Sequence, residues 1–184
     1  DEELQDAVLA LYEFTRSLPE PDSVLAGFLR MAEDRAPVAE TPWGRALLRF
    51  AAESVDAALA LAGDALDAAE SDAELAPYLP MLRADIGAFE RVKRAVDAAD
   101  WDGAAAAVCA YEPMRLGRVR AKYESPEKEF VKKSRDEVKK IKVDLLKNCF
   151  VCTEGEYRQD CEQSGPLTAA LVAAARLFAD KYMR

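Results

Sequence analysis

Apolar residues recur every three or four positions along most of this chain, which is the spacing of one face of an α-helix. Val8, Leu11 and Phe14 follow this spacing before Pro19 interrupts it, and a second, shorter stretch with the same spacing comes next. We therefore predict that residues 1–40 form an N-terminal helical arm or hairpin.

The helical spacing continues in longer segments through residues 41–184. One helix is predicted to begin at Thr41-Pro42, because threonine is a good N-cap and proline fits the first helical position. Three further helical patterns follow, then a polar stretch at 153–164 that we interpret as a loop, and a final helix after Pro166. The sequence thus predicts an all-α fold, an up-and-down bundle of about four core helices with a C-terminal helix.

The helix that starts at Ser125-Pro126 has two distinct faces. Its predicted inner stripe consists of Phe130, Ser134, Val138, Ile141, Leu145, Cys149 and Cys152. Five basic residues occupy a narrow sector turned about 110° away from that stripe, and they are Lys128, Lys132, Arg135, Lys139 and Lys142. We predict that this cationic ridge points outward, either to dock a charged partner or as an ordinary solvated face.

The composition argues against catalysis. Hydrophobic residues make up 51% of the chain and are mainly alanine and leucine, which suits packed helices. Histidine is absent, so the commonest catalytic base and metal ligand is missing. No Gly-x-Ser-x-Gly sequence or glycine-rich phosphate loop occurs. We therefore predict a protein that is not an enzyme and that binds no cofactor, and we interpret Trp43 and Trp101 as packing anchors.

Charge is unevenly distributed along the chain. Residues 1–110 contain 22 acidic and 9 basic residues, whereas residues 111–148 contain 12 basic and 7 acidic residues. Because the acidic part would repel phosphates, we predict that nucleic acid is not a partner and that the protein binds a charged protein partner. No apolar run approaches the length of a membrane span.

Four cysteines stand in the second half of the chain, at Cys109, Cys149, Cys152 and Cys161. We predict two disulfides, with Cys152–Cys161 and Cys109–Cys149 as the preferred pairs, although four cysteines permit three connectivities. A four-cysteine metal site, thioredoxin-like redox chemistry and four unpaired buried thiols are the alternatives. The start at Asp1 is interpreted as that of a processed protein or of a trimmed sequence, and processing would fit an oxidising compartment outside the cytosol.

The sequence Ala98-Ala99-Asp100-Trp101-Asp102, which joins two amphipathic helices, resembles the extrinsic lumenal helical-bundle subunits of algal photosystem II, the PsbQ-like group. The resemblance covers residues 42–152. It implies a protein of the thylakoid lumen that docks electrostatically on a larger membrane-embedded complex and stabilises the oxygen-evolving centre, without a cofactor of its own.

Two other classes of function stay open on the sequence. One is a disulfide-braced helical bundle, secreted or periplasmic, that binds a ligand or inhibits an enzyme. The other is a module that holds a metal through the four cysteines. The two differ in what they require: the first needs an apolar pocket between helices, and the second needs the thiols to converge.

Overall fold

The computed structural model describes residues 2–34, 36–120 and 122–182. Within those ranges the chain forms seven α-helices and no β-strand. The helices are α1 (Glu2–Arg16), α2 (Pro21–Glu33), α3 (Pro42–Glu70), α4 (Leu79–Asp97), α5 (Trp101–Ala110), α6 (Pro126–Asn148) and α7 (Glu154–Tyr182). Two short 3-10 helices, Val38–Glu40 and Ala73–Tyr78, precede α3 and α4. The predicted all-α helical bundle is confirmed.

The contacts divide the chain into two compact units. The terminal unit comprises Asp1–Ala36 and Gly155–Arg184, and the central unit comprises Pro37–Glu154. In the terminal unit, the rings of Tyr12 and Phe178 pack edge to face with their centroids 5.4 Å apart. The sequence assigns the C-terminal helix to a bundle of residues 41–184, whereas in the structure most of α7 groups with α1 and α2.

Helix α3 starts where the sequence predicts and organises the central unit. The Thr41 hydroxyl accepts a hydrogen bond from the Gly44 amide at 3.0 Å and donates one to the Val38 carbonyl at 2.7 Å. Pro42 follows at the first helical position, where no amide donor is needed. The buried face of α3 consists mostly of alanine, which lets α4 and α6 pack closely against it.

Larger apolar side chains fill the space around α3. On α4, Leu82, Phe89 and Val92 are almost fully buried, and on α6 so are Val131 and Leu145. Each such side chain contributes about 1.5–3 kcal/mol by leaving water. Most of the predicted inner stripe of α6 is buried, including Ser134, Val138 and Leu145. Its first member differs, because Phe130 is 44% exposed and Val131 is buried instead.

An aromatic cluster closes one end of the central unit. The Trp101 ring packs edge to face against Trp43 and Phe150, with centroids 5.9 and 5.1 Å away. Its indole N–H donates to the Cys152 carbonyl at 2.8 Å. The interpretation of both tryptophans as packing anchors is confirmed, and Trp101 also fixes the chain just after α6.

Two predicted boundaries differ from the structure. Helix α6 ends at Asn148, and Cys149 caps it, so the helix does not continue to Cys152. The predicted polar loop at 153–164 is the first half of α7, which also contains Pro166. This segment is polar, but it is rich in glutamate, glutamine and arginine, which have high helix propensity. Among the described helices, none is both long enough and apolar enough to cross a membrane.

Candidate functional site

A non-helical segment connects α5 to α6; its described residues are 111–120 and 122–125, and we call it the basic strap. Its apolar side chains Leu116, Val119 and Tyr123 pack on a buried cluster formed by α3, α4, α6 and the 3-10 helix before α4. The basic side chains of the strap are exposed, and they are Arg115, Arg118, Arg120 and Lys122. The strap therefore packs its apolar side chains on the bundle and exposes its basic side chains.

Gly117 brings the strap close to the 3-10 helix before α4. A Cβ at this position would lie 2.3 Å from the Pro77 carbonyl oxygen and 2.9 Å from its carbon. These are backbone atoms, which cannot move aside as a flexible side chain can. The lack of a side chain at Gly117 is thus what lets the strap lie flat on the bundle.

Replacing Gly117 with alanine is expected to lower the free energy of unfolding by about 1–3 kcal/mol, because the new methyl group overlaps backbone atoms. Gly63→Ala is the matched control. A Cβ at Gly63 meets nothing within 4 Å, and alanine in a helix interior is better than glycine by about 0.5–1 kcal/mol. Urea denaturation followed by circular dichroism measures both changes. Equal midpoints for the two variants would show that the strap does not lie against Pro77.

Two lysines of the predicted ridge fasten the strap at its ends. The Lys128 ammonium donates to the Tyr123 carbonyl and pairs with the Glu124 carboxylate at 3.0 Å. The Lys142 ammonium donates to the Tyr111 carbonyl and lies 5.7 Å from the centre of the Tyr111 ring. Lys128 is only 7% exposed. Both lysines therefore bind backbone of the protein itself.

A carboxylate in the turn before α4 holds the C-terminal end of the strap. The Tyr123 hydroxyl and the Ser125 hydroxyl both donate to the Asp72 carboxylate. The hydrogen bond from Tyr123, more than any other interaction, lowers the pKa of Asp72, so the acceptor stays ionised. Ser125 also accepts from the Lys128 amide as the N-cap of α6, at 3.1 Å. Strap and helix thus share one anchoring point.

Arg135, the central residue of the predicted ridge, is buried. Its side chain is 4% exposed and forms an ion pair with Asp85 of α4, which is 3% exposed. The distance from Arg135 Nε to Asp85 Oδ2 is 2.6 Å, and that from Nη2 to Oδ1 is 3.4 Å. The Tyr111 hydroxyl is also buried, and burial, followed by the charge of Asp85, raises its pKa.

Only two members of the predicted ridge keep their ammonium groups on the surface of α6. Lys132 pairs with Glu129 at 2.8 Å, and Lys139 pairs with Asp136 at 2.7 Å. The hydrogen bond to Glu129 raises the pKa of Lys132, so this lysine stays charged at neutral pH. The five residues predicted to form one outward surface therefore differ in their surroundings. Two of them bind the strap, one forms a buried ion pair and two stay on the surface of α6. Long basic side chains can bury their stems and reach sideways, so their charged ends need not lie where the helix places their Cβ atoms.

A groove of about 290 Å³ lies between the basic strap and α6. One wall comes from the strap, through Pro113, Met114, Arg115 and Leu116, and the other from α6, through Lys132, Arg135, Asp136 and Lys139. Four cations and one carboxylate thus line the groove. Over the described residues, the side chains of Arg115, Arg118 and Lys122 have no hydrogen-bond or ion-pair partner, and of these three only Arg115 lines the groove.

The sequence predicts no structure or role for residues 111–125, which lie between two predicted helices. A signal was nevertheless present: Leu116 and Val119 stand among Arg115, Arg118 and Arg120. That mixture of apolar and basic positions is typical of an extended segment with one face on a core and one in solvent.

The predicted disulfides are wrong, since none of the four cysteines forms one. Cys109 is exposed on α5, Cys152 is half-buried and Cys161 is buried. The Cys149 thiol is also buried and lies 3.4 Å from the Leu47 carbonyl of α3. Burial raises the pKa of Cys149 to about 11, so this thiol is protonated at neutral pH and is a poor nucleophile.

The metal-module alternative requires several ligands at one place. Across residues 2–34, 36–120 and 122–182, no group of three or more histidine, cysteine, aspartate or glutamate side chains is placed to hold a metal ion. The four cysteines in particular do not converge into such a group. The described residues therefore give this alternative no support.

Comparison with known proteins points to nucleic-acid enzymes. No protein-family model matches this chain. Over 182 residues the chain is 32% identical to an ATP-dependent helicase/nuclease subunit of Geobacillus kaustophilus, a match that covers 97% of this chain and 15% of that protein. The corresponding protein of Geobacillus thermodenitrificans is 30% identical over 181 residues, and that of Clostridium kluyveri is 24% identical over 189. The chain thus spans about 15% of the length of these curated relatives.

These similarities overturn several predictions. A photosystem II subunit in the thylakoid lumen is wrong, because the matching proteins are bacterial and are named as helicase/nuclease subunits. The predictions that the protein is not an enzyme and that nucleic acid is not a partner are wrong for the same reason. The secreted or periplasmic alternative is contradicted by the same similarities to bacterial helicase/nuclease subunits. The resemblance of residues 42–152 to the PsbQ-like group stays a prediction.

Proposed function

We propose that this chain is a helical region of an ATP-dependent helicase/nuclease and that its basic strap contacts the phosphates of a nucleic acid strand. The observation that carries the proposal is the extent of the similarity, which covers 97% of the chain. A helicase and a nuclease both act on nucleic acid strands, and a protein that does so needs surfaces that bind phosphate.

The strap has the features of a phosphate-binding surface. Arg118 and Lys122 are exposed, and their side chains have no partner within the described part of the chain. Cations of this kind release condensed counterions when they meet phosphates, which is the main source of affinity for nucleic acid. The hydrogen bonds of Lys128, Lys142 and Asp72 hold the strap in place. Little ordering is therefore required when a strand binds.

The acidic residues elsewhere in the chain do not oppose this function. Salt limits electrostatic effects between exposed charges to about 8 Å at physiological ionic strength. The charges nearest to a bound strand therefore decide its affinity, and the net charge of the chain does not. The sequence-based prediction that nucleic acid is not a partner was wrong because it used the summed charge of residues 1–110. It did not consider where those charges lie in the structure.

Reversing two strap charges tests the proposal. We expect that Arg118→Glu with Lys122→Glu raises the dissociation constant for a labelled single-stranded oligodeoxythymidine at least about tenfold at low salt. The salt-dependence slope should fall by about 1.4, since two phosphate contacts are lost and each contributes about 0.7 on a single strand. Fluorescence anisotropy over a range of salt concentrations measures both quantities. The duplex counterpart, titrated in parallel, shows which form of the strand is preferred.

Arg45→Glu with Arg49→Glu on α3 is the matched control. These arginines are also exposed, and their side chains have no partner in the described portion of the chain. The control changes the net charge by the same amount at a different place, so its affinity should stay within about threefold of the parent if local charge decides. No binding by the parent chain, or equal losses in both variants, would refute the proposed contact.

A further inference from the structure

We propose that the groove between the basic strap and α6 is a binding site for one phosphate group, with the guanidinium of Arg135 as its buried anchor. The inference rests on the proposed function, since a phosphate of a bound strand is the expected occupant. It goes further because it assigns a defined pocket, apart from the outward charges of Arg118 and Lys122.

The anchor is held rigidly. Arg135 is 4% exposed, and it is one of the residues that line the groove. Asp85 accepts hydrogen bonds from Nε and Nη2 of Arg135, which sets the plane of the guanidinium. An arginine has five N–H donors, so donors remain for a second acceptor. Arginine in this state is suited to phosphate, because its donors match the spacing of two phosphate oxygens.

Two lysines supply charge at the mouth of the same groove. Lys132 and Lys139 lie one turn before and one turn after Arg135 on α6, and both line the groove. Each is engaged only in an exposed pair with a carboxylate three residues earlier. Exposed pairs of this kind are weak. A phosphate can therefore attract both ammonium groups away from Glu129 and Asp136 at small cost.

The strap wall of the groove strengthens these contacts. Pro113, Met114 and Leu116 place apolar surface opposite the cations of α6. A wall of low polarity reduces solvent screening, so charges across the groove interact more strongly than on an open surface. Arg115 stands on the strap side, so a phosphate in the groove has cations on both sides. Three carboxylates pair with the cations of α6, namely Asp136, Glu129 and Asp85. With Arg115, the four cations of the lining therefore exceed these carboxylates by one positive charge.

Titration with inorganic phosphate tests the site without any nucleic acid. Arginine Nε–H signals are visible in two-dimensional ¹H–¹⁵N spectra, and the Arg135 signal is identified by its loss in Arg135→Lys. We expect that the Arg135 signal shifts in a saturable way as phosphate is added. In Lys132→Gln with Lys139→Gln, the dissociation constant should rise at least about tenfold, since two charged hydrogen-bond donors are lost.

Lys133→Gln with Lys140→Gln is the matched control on the same helix. Lys140 forms the same kind of pair, with Glu137 at 2.7 Å, but neither control lysine lines the groove. The control should keep the affinity of the parent chain. A shift that does not saturate, or equal weakening in both variants, would show general charge attraction and overturn the site.

The same spectra separate this inference from the proposed function. If phosphate shifts the Arg135 signal but the chain does not bind oligodeoxythymidine, the phosphate site is supported and the proposed nucleic-acid contact is refuted. An oligonucleotide that binds through Arg118 and Lys122 while the Arg135 signal stays unmoved would do the reverse. If both ligands shift Arg135 and compete, the groove receives a phosphate of the strand.

Discussion

Asp85→Ala is expected to lower the free energy of unfolding by about 3–5 kcal/mol, because it leaves the Arg135 charge buried without its partner. The side chains of Asp85 and Arg135 are 3% and 4% exposed, and their closest atoms are 2.6 Å apart. A loss of this size is large for a protein whose total stability is expected to be about 5–15 kcal/mol. Urea denaturation at neutral pH, followed by circular dichroism, measures the change.

A double variant separates the pair from the packing around it. Asp85→Leu with Arg135→Met removes both charges and keeps apolar volume at the site. Such replacements of buried ion pairs are often neutral or stabilising, so the double variant should recover most of the lost stability. If Asp85→Ala were as stable as the parent, the ion pair with Arg135 would contribute nothing to folding, and the predicted loss would be refuted.

Trp101→Ala is expected to cost about 3–5 kcal/mol, the usual range for removing a buried large aromatic side chain. Trp101 is 3% exposed and contacts the rings of Trp43 and Phe150. Its indole N–H also donates a hydrogen bond to the Cys152 carbonyl, which connects α5 to the residues that follow α6. The alanine variant therefore removes packing and a hydrogen bond together. Thermal and urea denaturation measure the combined loss.

Trp101→Phe isolates the hydrogen bond, because phenylalanine keeps an aromatic ring but has no N–H. We expect this variant to lose less, about 1–3 kcal/mol for the lost hydrogen bond and the smaller ring. Leu177→Ala in α7 serves as a reference, since that side chain is 70% exposed and its removal should change stability by about 0.5 kcal/mol or less. Equal losses for alanine and phenylalanine would mean that the ring contacts contribute nothing.

The cationic ridge shows where a helical pattern stops being informative. Angular position correctly placed Lys132 and Lys139 on the same side of α6. It gave no information about which part of the chain packs next to these lysines, and that part is the basic strap. Lys128, Arg135 and Lys142 have stems long enough to reach the strap or α4, and they bind partners 5, 50 and 31 residues away in the sequence. Pairs at such separations do not follow from helical periodicity.

The disulfides predicted from the cysteine spacing are wrong for a related reason. Their spacing suggested bridges, but a disulfide requires two thiols to face each other at a short and specific distance. Cys149 faces the Leu47 carbonyl of α3 instead, in an apolar setting. Unpaired cysteine is among the most buried residue types and behaves as a small hydrophobe.

Local chemistry in the sequence was sufficient for the helices and several of their ends. Apolar spacing, the caps Thr41 and Ser125 with their following prolines, and the alanine-rich face of α3 act within a few residues, so they can be read without a structure. The ion pair of Asp85 with Arg135, the flat course of the strap over Pro77 and the groove beside α6 bring together residues distant in the chain. Only tertiary packing decides such contacts, because their energy depends on distance, burial and the partner opposite, none of which a periodic pattern contains.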